Sequence, residues 1–408
     1  MNATPAASET LLITVTGTDR PGITSSVFGT LAAAGVTVVD LEQMVIRGRL
    51  VLGVLVSAPR DAARLRAALD ATASDLGVSI HVERGSGDDG GRPDGRTHVT
   101  VIGSPLRAGA MAAVAGRIAD AGGNIDRIER MARYPVTAIE LHVSGAAPDT
   151  LRTLLASEAA ENDFDVAVQP ASILRHGVRL IVMDVDSTLI QGEVIEMLAE
   201  HAGHGAEVAE VTERAMRGEL DFAESLRARV ALLEGLDAGV LDEVYAKIVI
   251  NPGARTLVRT LRRLGYRFAI VSGGFSQITD RLAADLGIHR ARANTLEIVD
   301  GRLTGRVVGA IVDRAGKADA LREFAAELGI PEAATIAIGD GANDLDMLAA
   351  AGLGIAYNAR PVVRDAADTS LNVPYLDAIM YLLGITREEI EAADAAAGFT
   401  TPSPPLEA

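Results

Sequence analysis

Two pairs of acidic residues in the second half of the chain stand where they could do phosphate chemistry. Asp184 and Asp186 directly follow one apolar run, and Asp340 and Asp344 follow another. A carboxylate at such a position can act as a nucleophile or as a general acid and base. Two carboxylates together can also bind Mg²⁺, which prefers oxygen ligands and often shares them with a substrate phosphate. The first pair alone is equally compatible with an acidic loop in solvent, whereas a surface turn at the second pair would not need two acids at a buried edge.

Groups that could hold phosphate oxygens occur in the same part of the chain. Ser272 and Gly273 end a third apolar run, so a hydroxyl and free backbone N–H groups could form an oxygen-binding pocket there. Lys317 stands ahead of a helical stretch, and its ammonium could neutralise a phosphate as a point charge. Ala318 follows this lysine, which excludes the phosphate-binding loop of nucleotide hydrolases.

The elements that must position these groups form an alternating pattern of strands and helices. Apolar runs at 178–183, 268–271 and 335–338 predict buried strands, and helical stretches lie between them. This pattern is typical of a doubly wound, Rossmann-like α/β sheet, in which ligands bind beyond the carboxyl ends of the strands. The polar clusters should therefore meet at one sheet edge. A helical insert at about 192–250 could cover that edge as a cap.

Together the motifs DVDST, SGG, the isolated Lys317 and GDGANDLDM resemble those of haloacid dehalogenase superfamily phosphatases, over a domain at 178–390. The resemblance implies that Asp184 attacks phosphorus while Asp186 serves as general acid and base. It also implies that Lys317 and Ser272 stabilise the charge on the transferred group. Mg²⁺ would be held by Asp184, the backbone carbonyl of Asp186 and Asp340, with Asp344 supporting it.

The cap insert resembles that of phosphoserine phosphatases, in which a glutamate meets the substrate ammonium and an arginine clamps its carboxylate. Glu193 and Arg229 stand at the matching positions. This resemblance implies an apolar wall and further substrate contacts at Met216, Phe222, Gly273 and Asn343, beside Ser272 and Lys317. Phosphoserine carries one ammonium, one carboxylate and one phosphate, so a glutamate, an arginine and a magnesium–lysine centre complement its charges. Without the resemblance, two surface charges on the cap would be the simpler interpretation.

The first 170 residues repeat one βαββαβ pattern at 10–84 and 97–170, joined by a Gly/Asp-rich linker at 85–96. Both pieces resemble ACT domains, which often bind amino acids. The open sheets of such units have edge strands that need partners, so we expect a homodimer. An effector, with serine the natural candidate, could bind near Gly22, Gly109 or Asn124. The second unit has Arg107-Ala108-Gly109 where the first has Arg20-Pro21-Gly22, so the two need not both bind ligand.

Composition narrows the remaining possibilities. The chain of 408 residues has a net charge of −17 and no cysteine. We expect no binding to nucleic acid or to a membrane surface, since both need a cationic face. Disulfides are excluded, and no signal peptide or membrane span is evident, so a cytoplasmic protein is expected. Residues 391–408 read as a C-terminal tail, disordered from residue 400 onwards.

Three functional alternatives stay open at this point. The first is a phosphatase of the same superfamily that acts on another phospho-amino acid or on a phosphopeptide. The second is a phosphotransferase that passes the phosphoryl group to an alcohol. The third is an amino-acid sensor that keeps the phosphatase fold without catalysis, although a scaffold would have no need for the charged set of Asp184, Asp186, Lys317 and Asp340.

Overall fold

The structure is a computed structural model that describes residues 9–85, 96–172, 175, 177, 179–216 and 219–402, without the side chains of residues 215 and 216. It divides into two compact units, residues 1–93 and 94–408, and each is described by itself. The linker predicted at 85–96 lies outside the described residues, apart from its two end positions. None of the described helices is long and apolar enough to cross a membrane.

The first unit is one antiparallel sheet with two helices on one face. Alternating residues of its first strand, Leu11, Ile13 and Val15, are buried against these helices, which is the period-two pattern of a half-covered sheet. The strand order is β2-β3-β1-β4. The elements are β1 (Thr10–Thr18), α1 (Ile23–Ala33), β2 (Val38–Ile46), β3 (Arg49–Ser57), α2 (Ala62–Leu76) and β4 (Ser79–Gly85).

The same βαββαβ unit opens the second compact unit. Its strand order, β6-β7-β5-β8, is equivalent to that of the first sheet, so the predicted duplication is confirmed. Val99 and Val101 face the two helices, as Ile13 and Val15 do in the first sheet. The elements are β5 (Thr97–Gly103), α3 (Ala108–Asp120), β6 (Asn124–Ala132), β7 (Thr137–Ser144), α4 (Pro148–Asn162) and β8 (Asp165–Pro170).

The second βαββαβ sheet docks on the domain that follows it through buried polar contacts. Glu140 on β7 is 3% exposed and accepts hydrogen bonds from both terminal nitrogens of Arg175. Gln169 donates to the carbonyl of Leu382 at 2.7 Å. His98 and His142 also lie beside the Glu140 carboxylate, at 3.1 and 3.3 Å. Since a guanidinium already neutralises Glu140, we assign this cluster to docking rather than to metal binding.

The last domain is a seven-stranded doubly wound sheet, as the sequence predicts. The order is β12-β11-β10-β9-β13-β14-β15, with β12 antiparallel to its neighbour. The two neighbours of β9, strands β10 and β13, lie on opposite sides of it, so the carboxyl end of β9 is the point where ligands bind in such folds. The elements are β9 (Leu180–Met183), α5 (Val194–Ala202), α6 (Gly205–Met216), α7 (Phe222–Ala231), α8 (Val240–Lys247), α9 (Ala254–Arg263), β10 (Arg267–Phe275), α10 (Ser276–Leu286), β11 (Arg290–Val299), β12 (Arg302–Val308), α11 (Arg314–Glu327), β13 (Thr335–Gly339), α12 (Leu345–Ala350), β14 (Leu353–Tyr357), α13 (Pro361–Arg364), β15 (Thr369–Leu371), α14 (Ile379–Leu382) and α15 (Arg387–Ala396).

Helices α5 to α8 form the cap, and the β11–β12 hairpin holds its far end. Asp300 and Gly301 both have positive φ at the hairpin turn, as a two-residue type I′ connection requires. The hairpin exchanges backbone hydrogen bonds with the cap: Gly235 donates to Leu303, and Leu303 donates to Leu236. The cap is therefore tied to the sheet away from its two chain connections.

The prediction of a tail from residue 391 onwards is wrong for the described part of that segment. Helix α15 continues to Ala396, and the side chain of Asp394 is fully buried. Arg259 and Arg263 donate three hydrogen bonds to its carboxylate, and the hydroxyl of Thr401 donates a fourth at 2.9 Å. Two guanidinium groups thus compensate the buried charge and hold the segment on α9. Residues 403–408 lie outside the description.

Candidate active site

The centre of the site is Asp184, the residue that follows the buried strand β9. Its backbone N–H donates to the carbonyl of Ile338 on β13 at 2.9 Å, which extends the strand pairing by one residue. Asp184 is 4% exposed. Burial, and then the nearby carboxylate of Asp344, raise its pKa well above the ordinary value, although Lys317 opposes both effects. The carboxylate is therefore poorly solvated and held by backbone pairing at a fixed position.

Lys317 lies between two carboxylates. Its ammonium nitrogen is 2.7 Å from Asp184 Oδ1 and 2.7 Å from Asp344 Oδ1, and the side chain is fully buried. Burial alone would lower the pKa of Lys317, but the two carboxylates raise it overall, so the charged form is favoured. Asp313 caps α11 by accepting a hydrogen bond from the N–H of Gly316 at 2.8 Å. This cap fixes where the helix that carries Lys317 begins.

Asp186 is held by the cap and by the SGG motif. The N–H of Val194, the first residue of α5, donates to its Oδ1 at 2.8 Å. The hydroxyl of Ser272 donates to its Oδ2 at 2.9 Å. Burial raises the pKa of Asp186, and these two hydrogen bonds oppose that effect. A carboxyl with a raised pKa and a fixed orientation is suited to give up and take back a proton near neutral pH.

Three carboxyl groups could hold a metal ion beside Lys317. One oxygen from each of Asp184, Asp340 and Asp344 lies within 4.8 Å of the others. Among the described residues, Asp184 Oδ1 is buried and has no hydrogen bond of good geometry, although it pairs with the lysine charge. The hydroxyl of Thr188 donates to Asp340 Oδ1 at 2.7 Å and orients that carboxyl. An all-oxygen donor set of three carboxyl groups fits a hard divalent cation such as Mg²⁺.

The cap meets the SGG motif through Phe222. A Cβ added at Gly273 would lie 2.9 Å from the Phe222 ring, so only glycine permits this approach without displacement of the ring. Met216 ends α6, but its side chain lies outside the described residues. The amide oxygen of Asn343 lies at the edge of the site, in the space that a Cβ at Gly341 would occupy. The structure thus brings Phe222, Gly273 and Asn343 to the edge that holds Asp184.

Glu193 and Arg229 belong to the same group of interacting charges on the cap side. Burial, followed by the charges of Asp186 and Asp340, raises the pKa of Glu193 to about 7. Burial lowers the pKa of Arg229, and the charge of Glu193 partly opposes that effect. The hydroxyl of Ser187 donates to Glu193 at 3.3 Å. Two partly desolvated groups of opposite charge thus lie close enough to Asp186 to feel its charge.

The three positions near which an effector could bind lie at or near the starts of helices and strands, one in the first compact unit and two in the second. Gly22 precedes α1 with φ +98° in the first unit. Gly109 is the second residue of α3, and Asn124 opens β6 and donates to Asp126 at 2.8 Å.

The sequence motifs did not predict a role for three residues that lie at the site. Thr188 orients Asp340, and it stands within the DVDST motif, so its spacing was a usable signal. Asn251 donates from its amide to the carbonyl of Thr188 at 2.7 Å and so holds the loop after Asp184. Asn294 contacts the SGG motif from β11. Only long-range contacts identify these two asparagines.

The fold and the site together define a haloacid dehalogenase-like hydrolase with two ACT domains. Residues 181–349 match the sequence profile of haloacid dehalogenase-like hydrolases. Residues 9–83 and 96–169 each match an ACT domain profile.

Similar proteins narrow this class. The chain is 61% identical to a phosphoserine phosphatase of Streptomyces coelicolor over 390 residues, which cover 95% of each chain. It is 54% identical to one of Mycobacterium tuberculosis, covering 95% of this chain and 96% of the relative. A crystal structure of a probable phosphoserine phosphatase from Vibrio cholerae superposes with a TM-score of 0.57 at 34% identity, covering 75% of this chain and 90% of that one. The chain belongs to the phosphoserine phosphatase family of the haloacid dehalogenase superfamily.

Proposed function

We propose that the protein hydrolyses O-phosphoserine to L-serine and phosphate through an aspartyl-phosphate intermediate, as the last step of serine formation. The observation that carries this proposal is the buried Asp184 paired with a buried Lys317. Asp186, the proposed general acid and base, accepts a hydrogen bond from the hydroxyl of Ser272 at 2.9 Å. The names of the full-length relatives from Streptomyces and Mycobacterium point to the same substrate.

The reaction divides into two displacements. An oxygen of Asp184 bonds to phosphorus as the bond from phosphorus to the serine oxygen breaks, and Asp186 gives its proton to that leaving oxygen. Asp186 then takes a proton from water, which attacks phosphorus and restores the Asp184 carboxylate with release of phosphate. The ammonium of Lys317 and the hydroxyl of Ser272 hold phosphate oxygens during both steps.

Magnesium is the cofactor that we propose for this site. Asp184, the backbone carbonyl of Asp186 and Asp340 would hold it, with Asp344 beside them. When bound, the ion would neutralise charge on the phosphoryl oxygens. Thr188 prepares the site by fixing Asp340. Burial raises the pKa of Asp340 to about 6, so protonation should compete with metal binding in weakly acidic solution.

Recognition of the serine portion falls to the cap. Arg229 can clamp the substrate carboxylate through two parallel hydrogen bonds, because a guanidinium matches carboxylate geometry. Glu193 supplies the opposite charge for the ammonium. Phe222 packs over Gly273 and would exclude water from the ester.

A phosphate-release screen over small phosphate esters tests this function. The panel should contain phosphoserine, phosphothreonine, a phosphoserine peptide and p-nitrophenyl phosphate, each with and without Mg²⁺. We expect the highest kcat/KM with phosphoserine and no turnover without Mg²⁺. A preference for the peptide would support a phosphoprotein phosphatase instead. Addition of an alcohol acceptor, with analysis of phosphorylated product, distinguishes hydrolysis from phosphotransfer.

We further propose that amino-acid binding at the ACT domains regulates the enzyme and that the chain forms a homodimer. All nine residues of the edge strand β2 are exposed, including Val39 and Ile46 at 57% and 62%. An exposed apolar edge strand is a template for pairing with a second chain. Serine, as the product, is the effector that we propose for feedback control.

The compact units suggest how to test regulation. Residues 1–93 form a unit of their own, whereas the second ACT domain is docked on the phosphatase through Glu140 and Arg175. A chain that begins at residue 94 should therefore keep the docked domain intact. Sedimentation and serine titration of this chain and the full chain should show loss of the dimer and of the serine response on truncation. If the shortened chain stays dimeric and responds equally, the first unit has another role.

A further inference from the structure

The SGG motif lies in a gap of the sheet ladder. Strands β10 and β11 pair regularly up to Val271 and resume at Phe275, which is opposite Asn294. The residues between them, including Ser272 and Gly273, leave the regular ladder, so their backbone groups need other partners. The backbone N–H of Gly274 has a local partner, since it donates to the hydroxyl of Ser272 at 2.7 Å, and that hydroxyl donates to Asp186.

Asn294 provides the missing partner for Gly273. Its side chain is 1% exposed, and its amide nitrogen donates to the Gly273 carbonyl at 2.7 Å. Its amide oxygen accepts a hydrogen bond from the N–H of Val312 at 2.8 Å. Val312 immediately precedes Asp313, which caps the helix that carries Lys317. One amide therefore ties the glycine of the phosphate-holding motif to the segment that leads into Lys317.

The same glycine also contacts the cap. Phe222 approaches Gly273 on the face where a Cβ would lie, and the carbonyl of Val312 lies 3.9 Å from that position. A small rotation of the Gly273 peptide would change this cap contact together with the direction of the neighbouring Ser272. Asn294 fixes that peptide through its hydrogen bond to the Gly273 carbonyl. In the described structure its side-chain hydrogen bonds go to Gly273 and Val312 and not to Asp184 or Asp186.

We propose that Asn294 is a positioning residue that keeps Gly273 and the Val312–Lys317 segment at a fixed distance, so that the groups holding phosphate converge. The inference rests on the proposed phosphatase function. It places the action of Asn294 at the phosphate end of the substrate, away from Arg229 at the carboxylate end. Loss of Asn294 should therefore impair every phosphate ester alike, whereas loss of Arg229 should impair only amino-acid esters.

A nearby amide offers a matched control. Gln277 donates to the carbonyl of Leu296 at 2.8 Å and accepts from its N–H at 3.3 Å. It braces α10 to β11 as Asn294 braces Gly273 to Val312, yet within the described residues none of its hydrogen-bond partners belongs to the catalytic or binding machinery that we propose. The pairs Asn294→Asp with Gln277→Glu and Asn294→Ser with Gln277→Ser compare the two braces by equal chemical changes. Asn294→Asp keeps an acceptor for Val312 and loses the donor to Gly273.

The experiment measures kcat and KM of the full chain with phosphoserine and with p-nitrophenyl phosphate, inhibition by orthovanadate, and Tm. A misplacement of about 1 Å costs on the order of a hundredfold in rate. We expect both Asn294 variants to lose about tenfold to a hundredfold in kcat on both esters and to bind vanadate more weakly. The Gln277 variants should stay within about threefold of the parent at a comparable loss of Tm.

Two outcomes overturn the proposal. The first is unchanged kcat and vanadate inhibition in a folded Asn294 variant. The second is an equal loss of kcat in the Gln277 variants, which would make Asn294 a general brace of the sheet. Because p-nitrophenyl phosphate reports on any phosphatase of this class, Asn294 is tested even if phosphoserine proves to be a poor substrate of the parent chain. A failure of the substrate assignment is thereby seen separately, in the parent.

Discussion

The contact between the second ACT domain and the phosphatase domain predicts a large, pH-dependent loss of stability for Glu140→Gln. The carboxylate of Glu140 is 3% exposed and is bound by Arg175, with His98 at 3.1 Å. Glutamine has the same shape but no charge, so it leaves the guanidinium of Arg175 buried without its counter-ion. Removal of one partner from a buried ion pair typically costs about 3–5 kcal/mol.

The pKa of Glu140 gives a second way to calculate this loss of unfolding free energy. Burial alone would raise it, but hydrogen bonds from His98 and Arg175 lower it from 4.5 to about 2. A tenfold change in proton affinity is worth about 1.4 kcal/mol, so this difference corresponds to about 3 kcal/mol. The two routes agree, and we expect Glu140→Gln to lower the unfolding free energy of residues 94–408 by about 3 kcal/mol at pH 7.

The sign of the pH dependence follows from the lowered pKa. The carboxylate binds protons more weakly in the folded chain than in the unfolded chain, so its stabilisation is fully present above about pH 5. It is lost as the pH falls towards the folded value of about 2. The stability difference between parent and variant should therefore fall to less than half by about pH 3.

Urea unfolding read by pulse proteolysis measures this difference on the second compact unit. Glu83→Gln is the matched control, because Glu83 lies 3.1 Å from His81 but both side chains are more than half exposed. Exposed pairs contribute about 0–1 kcal/mol, so the control should hardly change the stability of its own unit. Equal costs for the two variants, or a cost for Glu140→Gln that does not shrink on acidification, would refute the reasoning.

Three predictions concern the reaction itself. Arg229→Ala should lower kcat/KM for phosphoserine by a factor that corresponds to about 2–5 kcal/mol of binding energy, which is typical of a lost buried charge contact. The kcat/KM for p-nitrophenyl phosphate should hardly change, and equal losses on both esters would make Arg229 structural. Asp184→Asn should abolish turnover, and mass spectrometry of the acid-quenched parent should find the phosphoryl adduct on Asp184; an adduct on Ser272 would overturn the mechanism. EDTA should stop activity and Mg²⁺ restore it, whereas Ca²⁺ should inhibit because its larger coordination shell loosens the site; full activity in EDTA would rule out the metal.

Much of this architecture follows from local sequence. An apolar run of strand length predicts a buried strand wherever it occurs, and the polar residue after it is then fixed at the sheet edge. That logic predicted the strands before Asp184, Ser272 and Asp340, and the structure has β9, β10 and β13 there. The duplicated βαββαβ units were also predictable, since their apolar alternation and glycine stops recur in the same order.

Contacts between distant residues could not be predicted in the same way. The buried charge of Asp394 is compensated by Arg259 and Arg263, which are more than 130 positions away in the sequence. No pattern near Asp394 predicts these partners. The segment therefore looked like a polar tail. The contacts of Asn294 were equally unpredictable, because it bridges Gly273 and Val312, which are 21 and 18 positions away from it in the sequence. Residue type and spacing identify reactive groups, whereas bracing groups depend on the fold.

The charge balance of the site links the acidic sequence to its chemistry. Carboxylates outnumber cations around the carboxyl end of β9 in the described structure. Burial, and after it the repulsion between these carboxylates, raises the pKa of Asp340 to about 6 and of Glu193 to about 7. A dianionic phosphate would add to that repulsion if it entered alone. A divalent cation held by Asp184 and Asp340 would neutralise much of that negative charge, so that phosphate and metal would favour each other's binding. The net charge of −17 is thus compatible with an anionic substrate, because the acids that repel phosphate are the same groups that would bind the metal attracting it.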